Sequence, residues 1–492
     1  MTMKPYCVRF AAKNKFQAWV QNPPSNPPSS TGSSPDESQQ LSLSPPAQPR
    51  AKGKSRSGCK ECKLRRVKCD ETYPVCLRCQ RRGSVCLSAT PSTQWQVEMP
   101  WMVARPLAQP WTDTVNPDKR LLQYWLEKTS RIMTLCPEDN PLSFPLLEHL
   151  MSTPSLLHAV QSLSAGQEHF FQPSSLTVCL QERGRSTQAL RHEMKCPAQV
   201  KPPSVLAVFL QGVSWSWTEH HPDNYGKEHL LAARVLLDKM LEDPEKRRDP
   251  LVQFMLGWYL YWDMSCAFIA APHDLAPLNT AQVFDAIQST RGYFHPMVGF
   301  SAELLYLIAC LGRHCRQVME TGVKDPALEA TFEGQLLAWE PDHDDQNLVD
   351  MSIGYRNHGL MMLYSICGIP SQSNDSATAV QGPASSPEGS GTRIRSLAMD
   401  SLWRLFKTPV DAPCFSFHST PLLTAAAELR TEDARMRMAV VNRFKAIYST
   451  NRVAVNMWAI ELLEELWDLH DCGIHITWLE LLIAKKWALT FA

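Results

Sequence analysis

Long hydrophobic runs are missing from this chain of 492 residues. Its longest apolar stretches, around Phe254–Trp262 and Leu304–Gly312, reach about half of the roughly 18 consecutive apolar residues that a membrane helix needs. No integral membrane segment is therefore expected. An excess of one charge is missing as well, since 49 Lys and Arg balance 49 Asp and Glu, which argues against a uniformly basic nucleic-acid coat or an acidic tail. Period-two alternation bounded by turn pairs is nearly absent, and little sheet is expected. The chain has no G-x-S-x-G elbow, no phosphate loop and no G-x-G-x-x-G fingerprint, so a catalytic reading has nothing to hold and the expectation is not an enzyme. The start of the chain carries Lys4, Arg9, Lys13 and Lys15 before the first acid, Asp36, but no apolar core of a secretory signal; it reads as a basic leader without structure.

Hydrophobic residues make up 44% of the chain, enough for a large buried core. The balanced charge conceals a segregation. From Arg50 to Arg82 there are twelve Lys or Arg against three acids, Glu61, Asp70 and Glu71, so one short segment carries a concentrated positive field. Six of the 16 cysteines fall in the same segment. Such a crowded block beside scattered single cysteines is unlike a secreted disulfide framework.

The crowded cysteines, Cys59, Cys62, Cys69, Cys76, Cys79 and Cys86, form a near-repeat in which each half is C-x2-C-x6-C. Zinc takes deprotonated sulfur donors in a tetrahedron, and a two-residue gap sets two thiolates on one tight turn facing one metal. Six sulfurs complete two tetrahedral zincs only if two of them are shared, and the pseudo-symmetry makes Cys59 and Cys76, the first of each half, the natural bridges. Six thiolates and two dications leave a double negative charge, which the dense lysines and arginines help to stabilise. A block with so little to bury must draw most of its folding free energy from metal.

Around it, residues 1–54 form a basic and Pro/Ser-rich tail, 55–88 the cysteine block, and 89–115 a linker without a sustained heptad. Residues 116–492 read as one all-α region, giving a mostly α chain with a small metal module. Asn116-Pro117-Asp118 reads as an N-cap, a first-turn proline and an early acid, followed by an apolar face through Leu121, Leu122, Trp125, Leu126 and Ile132. Helices are expected over 146–164, 176–193, 203–217, 225–241, 250–269, 300–320, 327–339, 351–367, 393–406, 432–450 and 453–470, with a long polar loop without structure at 370–391. Glu219-His220-His221 and Asp342-His343-Asp344-Asp345 lack the i, i+4 ligand pair of a hydrolytic zinc site and read as exposed loops. The other ten cysteines read as buried reduced thiols, and Trp258, Tyr259 and Trp262 as helix-packing core.

The run from Cys59 through Cys-Lys-Leu-Arg-Arg-Val-Lys-Cys-Asp, with Tyr73-Pro74-x-Cys76-x-x-Cys79 and Gly83 before Cys86, closely resembles the zinc binuclear cluster domain of fungal transcription regulators. The resemblance implies two zinc ions, bridging first and fourth cysteines, and a helix after the second cysteine that enters the major groove of double-stranded DNA at a CGG triplet. Carried over, that helix holds Lys63, Arg65, Arg66 and Lys68. Arg66 is then expected to reach a base, since arginine pairs bidentately with guanine O6 and N7. Arg56, Lys60, Arg78, Arg81 and Arg82 are expected mainly at phosphates, which position without specifying. Residues 116–492 resemble, by pattern alone, the fungal-specific transcription factor domain that often follows such a cluster. The resemblance as a whole implies a nuclear regulator of RNA polymerase II transcription, of a biosynthetic gene cluster or metabolic pathway. Its partners would be DNA and the transcription machinery or co-regulators, with a homodimer and a small-molecule effector left open. The rival reading is a metabolite-binding helical receptor or enzyme-like domain with an accessory zinc module.

Overall fold

The computed structural model describes residues 58–72, 75–87, 117–168, 175–195, 200–218, 221–370 and 387–491, all within one unit, Lys54–Ala492. The tail, the linker, Arg56, Tyr73, Pro74 and most of the polar loop lie outside the described residues. Within them the protein is helical, without a strand, and His295 and Gly299 form one isolated bridge. No described helix is long and apolar enough to cross a membrane.

The cysteine block contributes α1 (Lys60–Leu64) and α2 (Leu77–Arg82). The larger region comprises α3 (Lys119–Tyr124), α4 (Leu147–Leu150), α5 (Pro154–Glu168), α6 (Ser175–Glu193), α7 (Pro202–Thr218), α8 (Lys227–Glu242), α9 (Pro244–Arg247), α10 (Pro250–Ala267), α11 (Ala281–Gln288), α12 (Ala302–Thr321), α13 (Pro326–Ala338), α14 (Gln346–Ile366), α15 (Pro387–Lys407), α16 (Ser419–Ala427), α17 (Ala434–Asn451), α18 (Val455–Asp471) and α19 (Trp478–Ala484). Packing runs largely from neighbour to neighbour: α5 on α6 and α7, α7 on α8, α8 on α10, α10 on α12, α12 on α14, and α14 on α15 and α16.

The centre of this region is α10. Asp249 caps it by accepting the N–H of Leu251, and Pro250 occupies a first-turn position whose missing N–H costs nothing. Its sequence is apolar on nearly all sides, as a helix largely covered by its neighbours requires, and Trp258, Tyr259 and Trp262 are buried in the core. At Gly212 of α7 a Cβ would lie 2.2 Å from the Trp262 ring, so only glycine lets these two helices approach. An ion pair is set into this core: Asp263 is fully buried and takes both Arg313 Nη atoms, at 2.6 and 2.7 Å, and the Tyr259 hydroxyl at 2.9 Å.

Several boundaries differ from the sequence reading. Asp118, not Asn116, caps α3, accepting from the N–H groups of Arg120 and Leu121. The span expected as one helix over 146–164 is broken at Met151–Thr153, where Pro154 starts a new helix because it cannot continue the old one. α15 begins at Pro387, inside the stretch expected as loop, and α14 begins at Gln346, capped by Asp345 from the acidic cluster. Helices α11, α16 and α19 were not expected.

Candidate zinc cluster and nucleic-acid face

The two halves of the cysteine block fold alike because their first cysteines act as helix caps. Cys59 Sγ accepts the Cys62 N–H ahead of α1, and Cys76 Sγ accepts the Cys79 N–H ahead of α2, both at 3.4 Å. Both helices also end alike. Val67 N–H bonds to Cys62 C=O and Arg66 N–H to Lys63 C=O; in the second half Ser84 bonds to Cys79 and Gly83 to Gln80. This is the pair of bonds that closes a helix on a left-handed residue. Gly83 supplies that residue in the second half at φ 61°, whereas the first half places Arg66 there at φ 54°.

These turns bring all six sulfurs into one buried group. The sulfurs fall into two sets of four, Cys59, Cys62, Cys69 and Cys76, and Cys59, Cys76, Cys79 and Cys86, with every pair in a set within 4.8 Å; Cys59 and Cys76 belong to both. Zinc–sulfur bonds of about 2.3 Å in a tetrahedron require sulfurs about 3.8 Å apart. The separations Cys59–Cys76, Cys59–Cys79 and Cys62–Cys76 are 3.8, 3.7 and 3.8 Å. The donor set thus fits zinc in spacing and in chemistry. Burial, together with the neighbouring thiols, pushes the Cys62, Cys79 and Cys86 thiols well above their ordinary range. Crowding six thiolates here is therefore unfavourable until dications offset their charge.

Asp70 joins the halves. Its carboxylate accepts the backbone N–H groups of Leu77 and Arg78, at 2.9 and 3.1 Å, and so holds the start of α2. Against the cost of desolvation, its hydrogen bonds from Thr72 Oγ1 and from the backbone N–H groups of Leu77, Thr72 and Arg78 hold the carboxyl at about 2. Asp70 stands in the sequence run that carries the family resemblance, but no role was assigned to it there. Lys60 N–H closes the block on Leu87 C=O at 2.8 Å. The block meets the helical region where Cys86 N–H donates to Ser449 Oγ of α17 at 2.9 Å.

The basic residues surround the sulfurs without entering them. Lys63, Arg66, Lys68, Arg78, Arg81 and Arg82 are exposed, Lys60 and Arg65 half-buried. The structure corrects one expectation about them. The helix begins after the first cysteine and ends at Leu64, so of the basic residues it carries Lys60 and Lys63 only; Arg65 caps it, Arg66 lies just beyond in the left-handed turn, and Lys68 lies outside any helix. The paired bonds to Cys62 and Lys63 stop the helix one turn earlier than its basic run suggested.

The tempting clusters elsewhere do not assemble. Glu219 and His220 lie outside the described residues, and His221 is exposed. His343 packs against Phe294 and Phe300 and accepts the Asp345 N–H, so this cluster builds a helix start. Of the remaining cysteines, Cys179, Cys266, Cys315, Cys367 and Cys414 are buried, and Cys472 is exposed.

Comparison with known proteins found two family profiles that match the chain: the fungal Zn(2)-Cys(6) binuclear cluster domain over residues 57–96 and the fungal specific transcription factor domain over residues 120–492. Among curated proteins the chain is 46% identical over 59 residues to the aspercryptin biosynthesis cluster-specific transcription regulator atnN of Emericella nidulans, covering 12% of this chain and 9% of that protein. It is 34% identical over 119 residues to the Zn(2)-C6 fungal-type transcription factor afumD of Aspergillus fumigatus, covering 23% of this chain and 32% of that protein. It is 31% identical over 104 residues to the pestheic acid cluster transcriptional regulator 3 of Pestalotiopsis fici, covering 21% of this chain and 17% of that protein. The chain thus matches a third or less of the length of each of these relatives. No solved structure matches it.

Proposed function

Since the chain belongs to the fungal Zn(2)-Cys(6) transcription regulators, with the fungal specific transcription factor domain over residues 120–492, we propose that it is a nuclear regulator that binds CGG-type DNA triplets through two zinc ions. Its targets are then genes transcribed by RNA polymerase II, with the curated relatives' names pointing to a biosynthetic gene cluster, and it is not an enzyme. The observation that carries this reading is the pair of four-sulfur sets sharing Cys59 and Cys76 beneath exposed lysines and arginines. In it, Cys59, Cys62, Cys69, Cys76, Cys79 and Cys86 are the metal ligands, with Cys59 and Cys76 each serving both ions. Zinc supplies folding free energy to the block when bound. The domains are 55–88 for the cluster and 116–492 for regulation.

Arg66 is the base-reading residue of this proposal. A non-glycine residue in the left-handed region costs on the order of 1 kcal/mol or more and persists where the surroundings impose it. The second half uses glycine at the matching place, so the strained arginine supports a role for its side chain. Lys63, Arg65 and Lys68 flank it, while Lys60, Arg56, Arg78, Arg81 and Arg82 serve the phosphates. Selection from random duplexes at a fixed salt concentration tests the proposal: an enriched CGG core is the expected result, and recovery without sequence enrichment contradicts it. The spacing of enriched half-sites reports whether the protein binds as a homodimer.

A cavity of about 380 Å³ in the helical region, lined in part by Leu256, Tyr293, His295, Phe300, Glu303 and Trp339, favours a small-molecule effector as a second partner. A thermal-shift screen of metabolites on the full chain checks this: stabilisation without turnover supports a ligand-gated regulator, and turnover of a hit contradicts the non-enzyme reading.

A further inference from the structure

Outside the cysteine cluster, one other group of metal-ligating side chains comes together among the described residues. His314 on α12, Glu329 on α13 and Cys367, directly after α14, place an imidazole nitrogen, a carboxylate oxygen and a thiol sulfur within 4.8 Å of one another. Three different elements contribute, and the residues are 15 and 38 positions apart along the chain, so no sequence motif announces them. Glu329 and Cys367 are buried, and the His314 side chain is only 10% exposed. We propose that His314 Nε2, the Glu329 carboxylate and Cys367 Sγ form a second zinc site, independent of the six-cysteine cluster.

The donors are already oriented. His314 Nε2 and Glu329 Oε1 are 3.0 Å apart, and the Asp325 N–H holds the same oxygen at 3.1 Å. The Cys315 and Cys367 thiols are hydrogen-bonded to each other beside these donors. Lys324 Nζ donates to the Cys367 carbonyl at 2.8 Å, which ties the chain ahead of α13 to the end of α14. One nitrogen, one oxygen and one sulfur donor suit a borderline ion such as zinc, whereas magnesium and calcium take oxygen donors almost throughout. Binding releases the Cys367 thiol proton to solvent, and the dication is then neutralised by one thiolate and one carboxylate, as a buried site requires. Three protein ligands leave one tetrahedral position for water or a fourth donor. Residues 320–328, from the end of α12 into α13, are exposed. The ion would fasten α12, α13 and the end of α14 together.

The test uses the full chain equilibrated with zinc and freed of loosely held metal, with metal counted per chain. Cys367→Ser should bind one zinc fewer than the parent, and Glu329→Gln, which keeps an oxygen for the Asp325 N–H, should lose the same equivalent. Cys59→Ser should lose the cluster's zinc and keep this one, which separates failure of the second site from failure of the cluster assignment. Replacement of zinc by cobalt should give thiolate-to-cobalt absorption in Cys59→Ser that disappears when Cys367→Ser is added. Equal zinc content in the parent, Cys367→Ser and Glu329→Gln, all folded by circular dichroism, overturns the proposal. So does a Cys315–Cys367 disulfide in the zinc-equilibrated protein.

Discussion

The cysteine block and the helical region solve the same problem in opposite ways. The helical region surrounds α10 with a continuous apolar core in which Trp125, Trp258, Tyr259, Phe209, Phe415 and Phe444 are fully buried. The block has almost no such core: its buried cluster is the six cysteines and Val75, with Val67 packed beside them. One region draws its stability from removing apolar surface from water, the other from a metal held by ligands that would otherwise repel. A region stabilised from within by metal can spend its whole surface on charge, which is what a module that meets DNA phosphates requires.

The sharpest way to break this comparison is at a shared sulfur. Cys59→Ser or Cys76→Ser should release both cluster zincs and abolish DNA binding while leaving the melting temperature of the helical region unchanged; metal counting, duplex titration and calorimetry check the three parts. Retention of one cluster zinc would contradict the shared-ligand arrangement. The converse variant is Asp263→Ala, which leaves Arg313 charged and unpaired beside α10. It should cost about 3–5 kcal/mol in denaturant unfolding of the helical region, with the cluster zinc retained.

How much of each region the sequence announced follows from how local its determinants are. The six cysteines were legible because metal ligands on tight turns obey short spacings, and α10 because Asp249-Pro250 marks its start. Arg66 was misplaced on a helix, since nothing in a basic run tells that paired backbone bonds will end the helix at Leu64. α16 escaped notice because all its residues are buried, so it shows no amphipathic period. α19 did carry a signal, the Thr477-x-x-Glu480 capping box, whose reciprocal bonds the structure forms. The pairs Asp263–Arg313 and Glu329–His314 join separate helices and are fixed only by packing.

Within the block the two halves can be set against each other. Arg66→Ala should lose about 1–3 kcal/mol of preference for CGG over scrambled duplex, whereas Arg82→Ala should weaken both alike and lower the salt slope by about one. Arg66→Gly should lose the same preference yet hold zinc against a chelator at least as well as the parent, because glycine accepts the left-handed turn that Gly83 already occupies in the other half. Equal losses on cognate and scrambled duplex in both alanine variants contradict this division.

The helical region also has a pH dependence of its own. Burial lowers the His358 imidazole to about 3, and burial with the Arg443 charge holds His418 well below its ordinary value. Both are neutral in the fold and take up protons on unfolding, so their contribution is complete above about pH 6.5 and is lost as pH falls toward their folded values, at about 1.4 kcal/mol per unit for each histidine. Denaturant midpoints between pH 7 and 5 should fall for the parent and less steeply for His358→Gln.

On this reading metal, and not a core, folds the cysteine block, while the helical region folds without the cluster. Amide hydrogen exchange on the full-length Cys76→Ser variant tests it most directly. Protection across residues 58–87 should collapse while α5, α7, α10 and α14 keep the protection of the parent. Protection retained in 58–87, or lost throughout the helical core, would contradict it.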